Sequence, residues 1–213
     1  MKAYRIEAGD EALLDVDFAG WGQAEKTLVD LAPTPLALVK EVSPFLAVSE
    51  GHGAVKRLEA SALHNGGVLA LRLSWESGRH DRVGDLNSFV DGVGVLYPLA
   101  AGATAVTMGA KGKPTNAWYW KAGAKEPLDV LAEGFAAAQR RPGSASRLSA
   151  VARHDGGKWS VVFRRPLAAG QGFVGFVPGV NSKIAFAAWD GANAERSGRK
   201  SFSGEFVDFH IQK

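Results

Sequence analysis

Cysteine is absent from the 213 residues. Its absence excludes disulfides, thiolate metal sites, iron–sulfur ligation and the covalent haem attachment that requires C-x-x-C-H. Methionine is almost absent, with Met108 alone besides Met1. No apolar run is long enough to span a membrane. The stretch from Met1 to Gly22 carries acidic residues where a signal peptide would carry its apolar region, so either the protein is cytoplasmic or this is a mature form with Met1 added. Familiar catalytic signatures are missing as well: there is no G-x-S-x-G elbow, H-E-x-x-H pair, P-loop or strand–turn–helix G-x-G-x-x-G. His52, His64, His80, His154 and His210 are scattered without metal-ligand spacing. His64 and His154 fall at turns, which reads as solvent exposure.

What remains is a chain able to build a core. Hydrophobic residues make up 46% and charged residues 22%, which excludes disorder. The length fits one domain spanning residues 1–213. A net charge of +3 is too small to argue for nucleic acid. The charge is uneven: residues 1–50 hold 4 Lys/Arg against 9 Asp/Glu, and the rest 21 against 13. An acidic leading segment on a basic body marks a docking surface or simply a solvated one. Acidic pairs such as Asp15/Asp17 read as surface.

The pattern along the chain is of short strands between turn signals. Ala3–Glu7, Glu25–Leu31, Gly172–Val177 and Phe202–Ile211 have strand character, and Lys183–Trp189 is a clear strand. Arg79–Asn87 reads as a loop and Ser88–Leu99 as a strand. Asn65-Gly66 between two apolar-rich runs signals a hairpin, with Leu69, Leu71, Leu73 and Trp75 on one face. Asp155-Gly156-Gly157 signals a second. Pro127–Gln139 shows helical spacing behind a proline and predicts one short helix. The fold class that follows is all-β, an antiparallel β-sandwich with one or a few short helices.

Two stretches rise above this background. The first, Thr104–Lys121, places Met108 beside Gly109 on a Lys/Gly/Pro loop and continues into Trp118-Tyr119-Trp120. A thioether there either fills space or points at a ligand. In the second, Lys183 opens an apolar strand, KIAFAAWDG. It either snorkels from the strand edge or faces inward at a cost in desolvation.

These residues resemble the haem-binding γ subunits of the periplasmic molybdenum enzymes that include chlorate reductase, selenate reductase, dimethyl sulfide dehydrogenase and ethylbenzene dehydrogenase. The resemblance rests on Met108-Gly109, on the N-x-W-Y-W-K run at Asn116–Lys121 and on the K-I-A-F-A-x-W-D-G strand at Lys183–Gly191. It implies a β-sandwich holding one non-covalent haem b, with a methionine and a lysine as axial ligands to iron. By position these are Met108 and Lys183. It also implies electron transfer rather than catalysis, with a soluble c-type cytochrome on one side and an iron–sulfur β subunit and molybdenum α subunit on the other. A chlorate-reductase-like complex is the favoured setting, and a periplasmic mature form the implied location.

A lysine ligates only as the neutral amine, against an ordinary pKa near ~10.4, so it needs apolar surroundings. Among the basic residues of 140–165, one or two would meet haem propionates and others a partner subunit. The reading from another class is a haem-free carbohydrate- or ligand-binding β-sandwich, with Trp118-Tyr119-Trp120 as a stacking platform. A third is an assembly subunit that binds no ligand.

Overall fold

The computed structural model describes residues 1–35, 37, 50–81, 89–135 and 137–213. Its elements in chain order are β1 (Lys2–Arg5), α1 (Asp10–Leu14), β2 (Thr27–Asp30), β3 (Ala32–Pro33), β4 (Arg57–His64), β5 (Val68–Glu76), β6 (Gly92–Pro98), β7 (Thr115–Lys121), β8 (Leu128–Ala132), β9 (Ala138–Pro142), β10 (Ser149–Asp155), β11 (Lys158–Pro166), β12 (Asn181–Trp189), β13 (Ser201–Phe202) and β14 (Val207–Ile211). Single 3-10 turns lie at Ala19–Gln23 and Gly143–Ser146. This is the expected all-β class with little helix.

Both expected hairpins form. Between β4 and β5, the Asn65 Oδ1 accepts the backbone N–H of Gly67 and Val68 at 3.0 and 2.9 Å. Between β10 and β11, Gly156 and Gly157 have φ of 56° and 77°. A two-residue type I′ connection requires that left-handed pair.

The first sheet runs β10-β11-β5-β4-β1-β14-β12, and the second continues β12-β6-β7-β8-β9. Strand β12 belongs to both. Its first half, Asn181–Ile184, pairs with β14, and Ala185–Trp189 pairs with β6. One feature departs from a purely antiparallel arrangement: β1 is parallel to both β4 and β14.

The period-two alternation of the strands decides what fills the space between the sheets. Leu69, Leu71, Leu73 and Trp75 of β5 face inward, as do Val93, Val95 and Tyr97 of β6, Trp118 and Trp120 of β7, and Ile184 and Phe186 of β12. Rings meet across the sandwich, Trp118 against Phe163 at 6.3 Å and Trp120 against Trp159 at 4.9 Å. Each such fully buried side chain contributes roughly 1.5–3 kcal/mol. The outer face of the first sheet is covered by the leading segment, where Leu13, Val16 and Trp21 pack on Leu63, Val68, Ala70 and Val162. Its acidic side meets the β10–β11 hairpin: Arg153 pairs with Asp17, and Arg164 lies 3.4 Å from Glu11. Part of the uneven charge is thus satisfied within the chain.

The helix expected over Pro127–Gln139 is not formed. Strands β8 and β9 take its place, joined through Gly134 at φ 113°. Pairing of β8 with β7 and β9 overrides the local helical spacing, and it turns Asp129 inward. There the carboxylate is fully buried and accepts Asn116 Nδ2, Arg141 and Ser146 Oγ, with the buried Arg165 at 3.5 Å. Burial lowers the Arg165 guanidinium to about 10, opposed by Asp129. The segment 172–177 forms no strand, although Val174 and Phe176 are buried in the core. Most of the expected loop at 79–87 lies outside the described residues.

Candidate functional site

The alternation that sends Trp118 and Trp120 into the core sends Tyr119 and Ala117 to the opposite, outer face of the second sheet. The register aligns Ala185, Leu96, Ala117, Val130 and Arg140 as one row across β12, β6, β7, β8 and β9. The adjacent row begins Ala187, Gly94, Tyr119. Residues of both rows line a cavity. Its floor is built largely from small or apolar side chains, which leaves a flat space above the sheet. At Gly94 an added Cβ would come within 3.1 Å of the Trp118 carbonyl oxygen and 3.7 Å of the Trp189 ring.

Two loops close over this floor, and both hold non-glycine residues in the left-handed region. Met108 has φ 57°, and Ala194 and Ser197 have φ 54° and 51°. Such backbone costs of order 1–3 kcal/mol and persists only where neighbouring contacts impose it. At Met108 they do so: its N–H donates to the Ala105 carbonyl at 3.2 Å, its carbonyl accepts from the Gly134 N–H at 3.0 Å, and the Gly109 N–H donates to Thr104 O at 2.9 Å. Gly109 follows at φ 85° and leaves no room for a Cβ, which would stand 2.6 Å from the Lys113 carbonyl oxygen and 2.9 Å from that of Ala132. The loop therefore sets the Met108 thioether into the cavity, against Leu96, Ala105 and Ala117.

The structure does not bring Met108 and Lys183 together. Lys183 lies on the half of β12 that pairs with β14; its side chain is 57% exposed, with Nζ 3.3 Å from Asp208. It borders a separate groove beside the 98–106 segment. The lysine beside Met108 is Lys200. It precedes β13, retains 9% exposure and places Nζ 4.0 Å from the Met108 Sδ and 5.2 Å from the Trp189 ring centroid. Its carbonyl is clamped by the N–H and hydroxyl of Thr34 at 3.0 and 3.2 Å. Among the described residues no carboxylate pairs with its amine. Burial lowers that amine from 10.5 to about 8, which brings the neutral, lone-pair-bearing form within reach near neutrality.

This donor set fits a metal held by one thioether and one neutral amine. One soft thioether and one amine stand 4.0 Å apart, and both line the same apolar cavity. The apolar lining beneath the loops suits a hydrophobic group. No sequence signal marked Lys200: it sits in a turn-rich basic stretch, where lysine is ordinarily solvated, and the pairing of β13 with β12 and β3 carries it inward.

The other sequence candidates serve the fold. His64 is buried rather than solvated, and burial lowers its pKa. His154 stacks on His80 at 4.7 Å, and its Nε2 lies 2.8 Å from the Ser77 carbonyl oxygen. His52 and His210 bond to Thr34 O and Asn181 Oδ1. Asp91 anchors the loop after β12 by accepting Gly191 N–H at 3.0 Å and Trp159 Nε1–H at 2.7 Å. Trp118 and Trp120 are 0% and 7% exposed, so the aromatic run forms no surface platform. No helix of the described residues is long and apolar enough to cross a membrane.

Comparison with known proteins agrees with this architecture. The family model described as ethylbenzene dehydrogenase matches residues 19–142 and 136–201. Chlorate reductase subunit gamma of Ideonella dechloratans is 33% identical over 178 residues, covering 82% of this chain and 73% of that protein. The putative respiratory nitrate reductase heme subunit ORF7 of Haloferax mediterranei is 34% identical over 143 residues, or 63% of this chain; the match spans about half (49%) of that protein's length. Among solved structures, a putative carbohydrate-binding protein from Bacteroides uniformis superposes with a TM-score of 0.59 at 10% identity, covering 100% of this chain and 98% of the other. That likeness is one of fold alone.

Proposed function

The chain belongs to the ethylbenzene dehydrogenase family, and from that premise we propose that it is a non-catalytic haem b electron-transfer subunit of a periplasmic molybdoenzyme complex. A chlorate-reductase-like complex is the favoured setting, with relay between a soluble c-type cytochrome and an iron–sulfur partner. Met108 and Lys200 are the proposed axial pair, in place of Met108 and Lys183. The observation that carries the reading is a buried lysine without a carboxylate partner among the described residues, 4.0 Å from the sulfur of a methionine held at φ 57° above an apolar floor.

When bound, the haem supplies a one-electron redox centre. The residues define what kind. Met108 presents a soft neutral donor, which favours the reduced metal and raises the potential. Lys200 must surrender its proton to ligate, and its burial lowers the cost of doing so. Met108 and Lys200 would hold the iron, and the haem would supply one-electron transfer rather than a binding position for oxygen or a substrate. Tyr119 and Trp189, with ring centroids 4.9 Å apart, line the cavity.

The test is the visible spectrum after addition of ferric haem to the purified chain. Sharp α and β bands on reduction, the signature of a six-coordinate low-spin centre, support the reading. A colourless protein that takes up no haem contradicts it.

A further inference from the structure

We infer that Arg140 seats the acidic edge of the ligand, binding a carboxylate of the haem side chains at the open margin of the cavity. This rests on the haem reading above and adds a residue with a defined role.

The register carries the argument. Ala185, Leu96, Ala117, Val130 and Arg140 are successive cross-strand neighbours. Residues directly opposite one another on paired strands share a face. The row is apolar over four strands and ends in a guanidinium on the fifth, β9, which among the described residues pairs only with β8. A ligand held in this cavity meets hydrocarbon along the row and the Arg140 guanidinium at its end. That polarity matches a macrocycle whose carboxylates project from one edge, and a wholly apolar ligand would leave the cation without purpose.

Arg140 is also, among the described residues, the arginine lining this cavity, and no acid pairs with it. Arg141 and Arg165 are held by Asp129, Arg153 by Asp17 and Arg164 by Glu11. Arg140 makes no ion pair among the described residues, yet it lines the cavity. Its charge acts on the Tyr119 hydroxyl group there, opposing the burial that raises the phenol to about 12. A planar guanidinium also offers the paired donors that a carboxylate accepts in bidentate fashion.

The experiment compares two probes, ferric protoporphyrin IX and its dimethyl ester, titrated into the haem-free full chain and into Arg140→Gln and Arg140→Lys. Because Arg140 is solvent-exposed, one carboxylate contact strengthens binding about fivefold. The wild-type chain is expected to bind the free acid about fivefold more tightly than the ester. Arg140→Gln should bind both as weakly as the wild type binds the ester, and Arg140→Lys should keep part of the preference. Equal affinity of the wild-type chain for both probes, or an undiminished preference in Arg140→Gln, overturns the assignment while leaving the haem reading intact. Failure of the wild-type chain to bind either probe overturns the haem reading, and this inference with it.

Discussion

Replacing Lys200 by methionine in the haem-free chain should stabilise the fold at neutral pH, and the gain should vanish in alkali. Burial of Lys200 without a carboxylate partner lowers its amine from 10.5 to about 8. At ~1.4 kcal/mol per tenfold in proton affinity, that is about 3 kcal/mol against the charged form. The sign follows from proton counting. Below about pH 8 the amine is protonated in both folded and unfolded chains, and the folded chain bears the full penalty. From about pH 8 to 10.5 the folded amine is neutral while the unfolded one still holds its proton, so stability rises with pH. Above that window the penalty is gone. Lys200→Met removes it at every pH, so its advantage should be about 3 kcal/mol at pH 7 and close through pH 8–10.5. Burial raises the phenols of Tyr97 and Tyr119, and their loss of stability in alkali is common to both proteins and cancels in the difference. Urea titrations at pH 7, 8, 9 and 10 give the midpoints, with unchanged slopes confirming that the unfolding reaction is the same. An advantage independent of pH would refute the reasoning, because packing alone would then account for it.

Further outcomes follow from the same geometry. Lys183→Ala removes an exposed ion pair with Asp208 and should change stability by less than about 0.5 kcal/mol in denaturant titration, with haem retention unaltered. Gly109→Ala forces a Cβ against the Lys113 and Ala132 carbonyl oxygens at a left-handed position; it should displace the Met108 loop and lower haem affinity in spectral titration while far-ultraviolet dichroism stays that of a β protein. Asp129→Ala strips the acceptor from the fully buried Arg165 and should cost about 3–5 kcal/mol in the same unfolding assay.

Much of the fold was legible because turn chemistry and alternation are local. Asn65 and the Gly156-Gly157 pair fix their hairpins within a few residues, and the apolar face of β5 reads directly from Leu69, Leu71, Leu73 and Trp75. The failed helix at 127–139 shows where local spacing yields: Pro127 and the apolar residues mimic a helix start, but Asp129 is claimed by Arg165 from 36 residues away in sequence. The site was half legible. Met108 stood out by its rarity and its glycine neighbour. Lys200 did not, since its burial arises from β13 pairing with β12, a contact that no local pattern encodes. Lys183 drew notice because it opens an apolar strand, yet it lies on the half of β12 that pairs with β14, and its side chain is exposed there. The Trp-Tyr-Trp run divides by alternation into two core residues and one cavity wall, Tyr119.

The most direct test of the proposed axial pair is the reduced visible spectrum of the haem-loaded chain beside its Met108→Ala, Lys200→Ala and Lys183→Ala variants. The account predicts a six-coordinate low-spin spectrum for the wild type and for Lys183→Ala, and its loss in both Met108→Ala and Lys200→Ala. A Lys200→Ala protein that keeps the wild-type bands, while Lys183→Ala loses them, would contradict it.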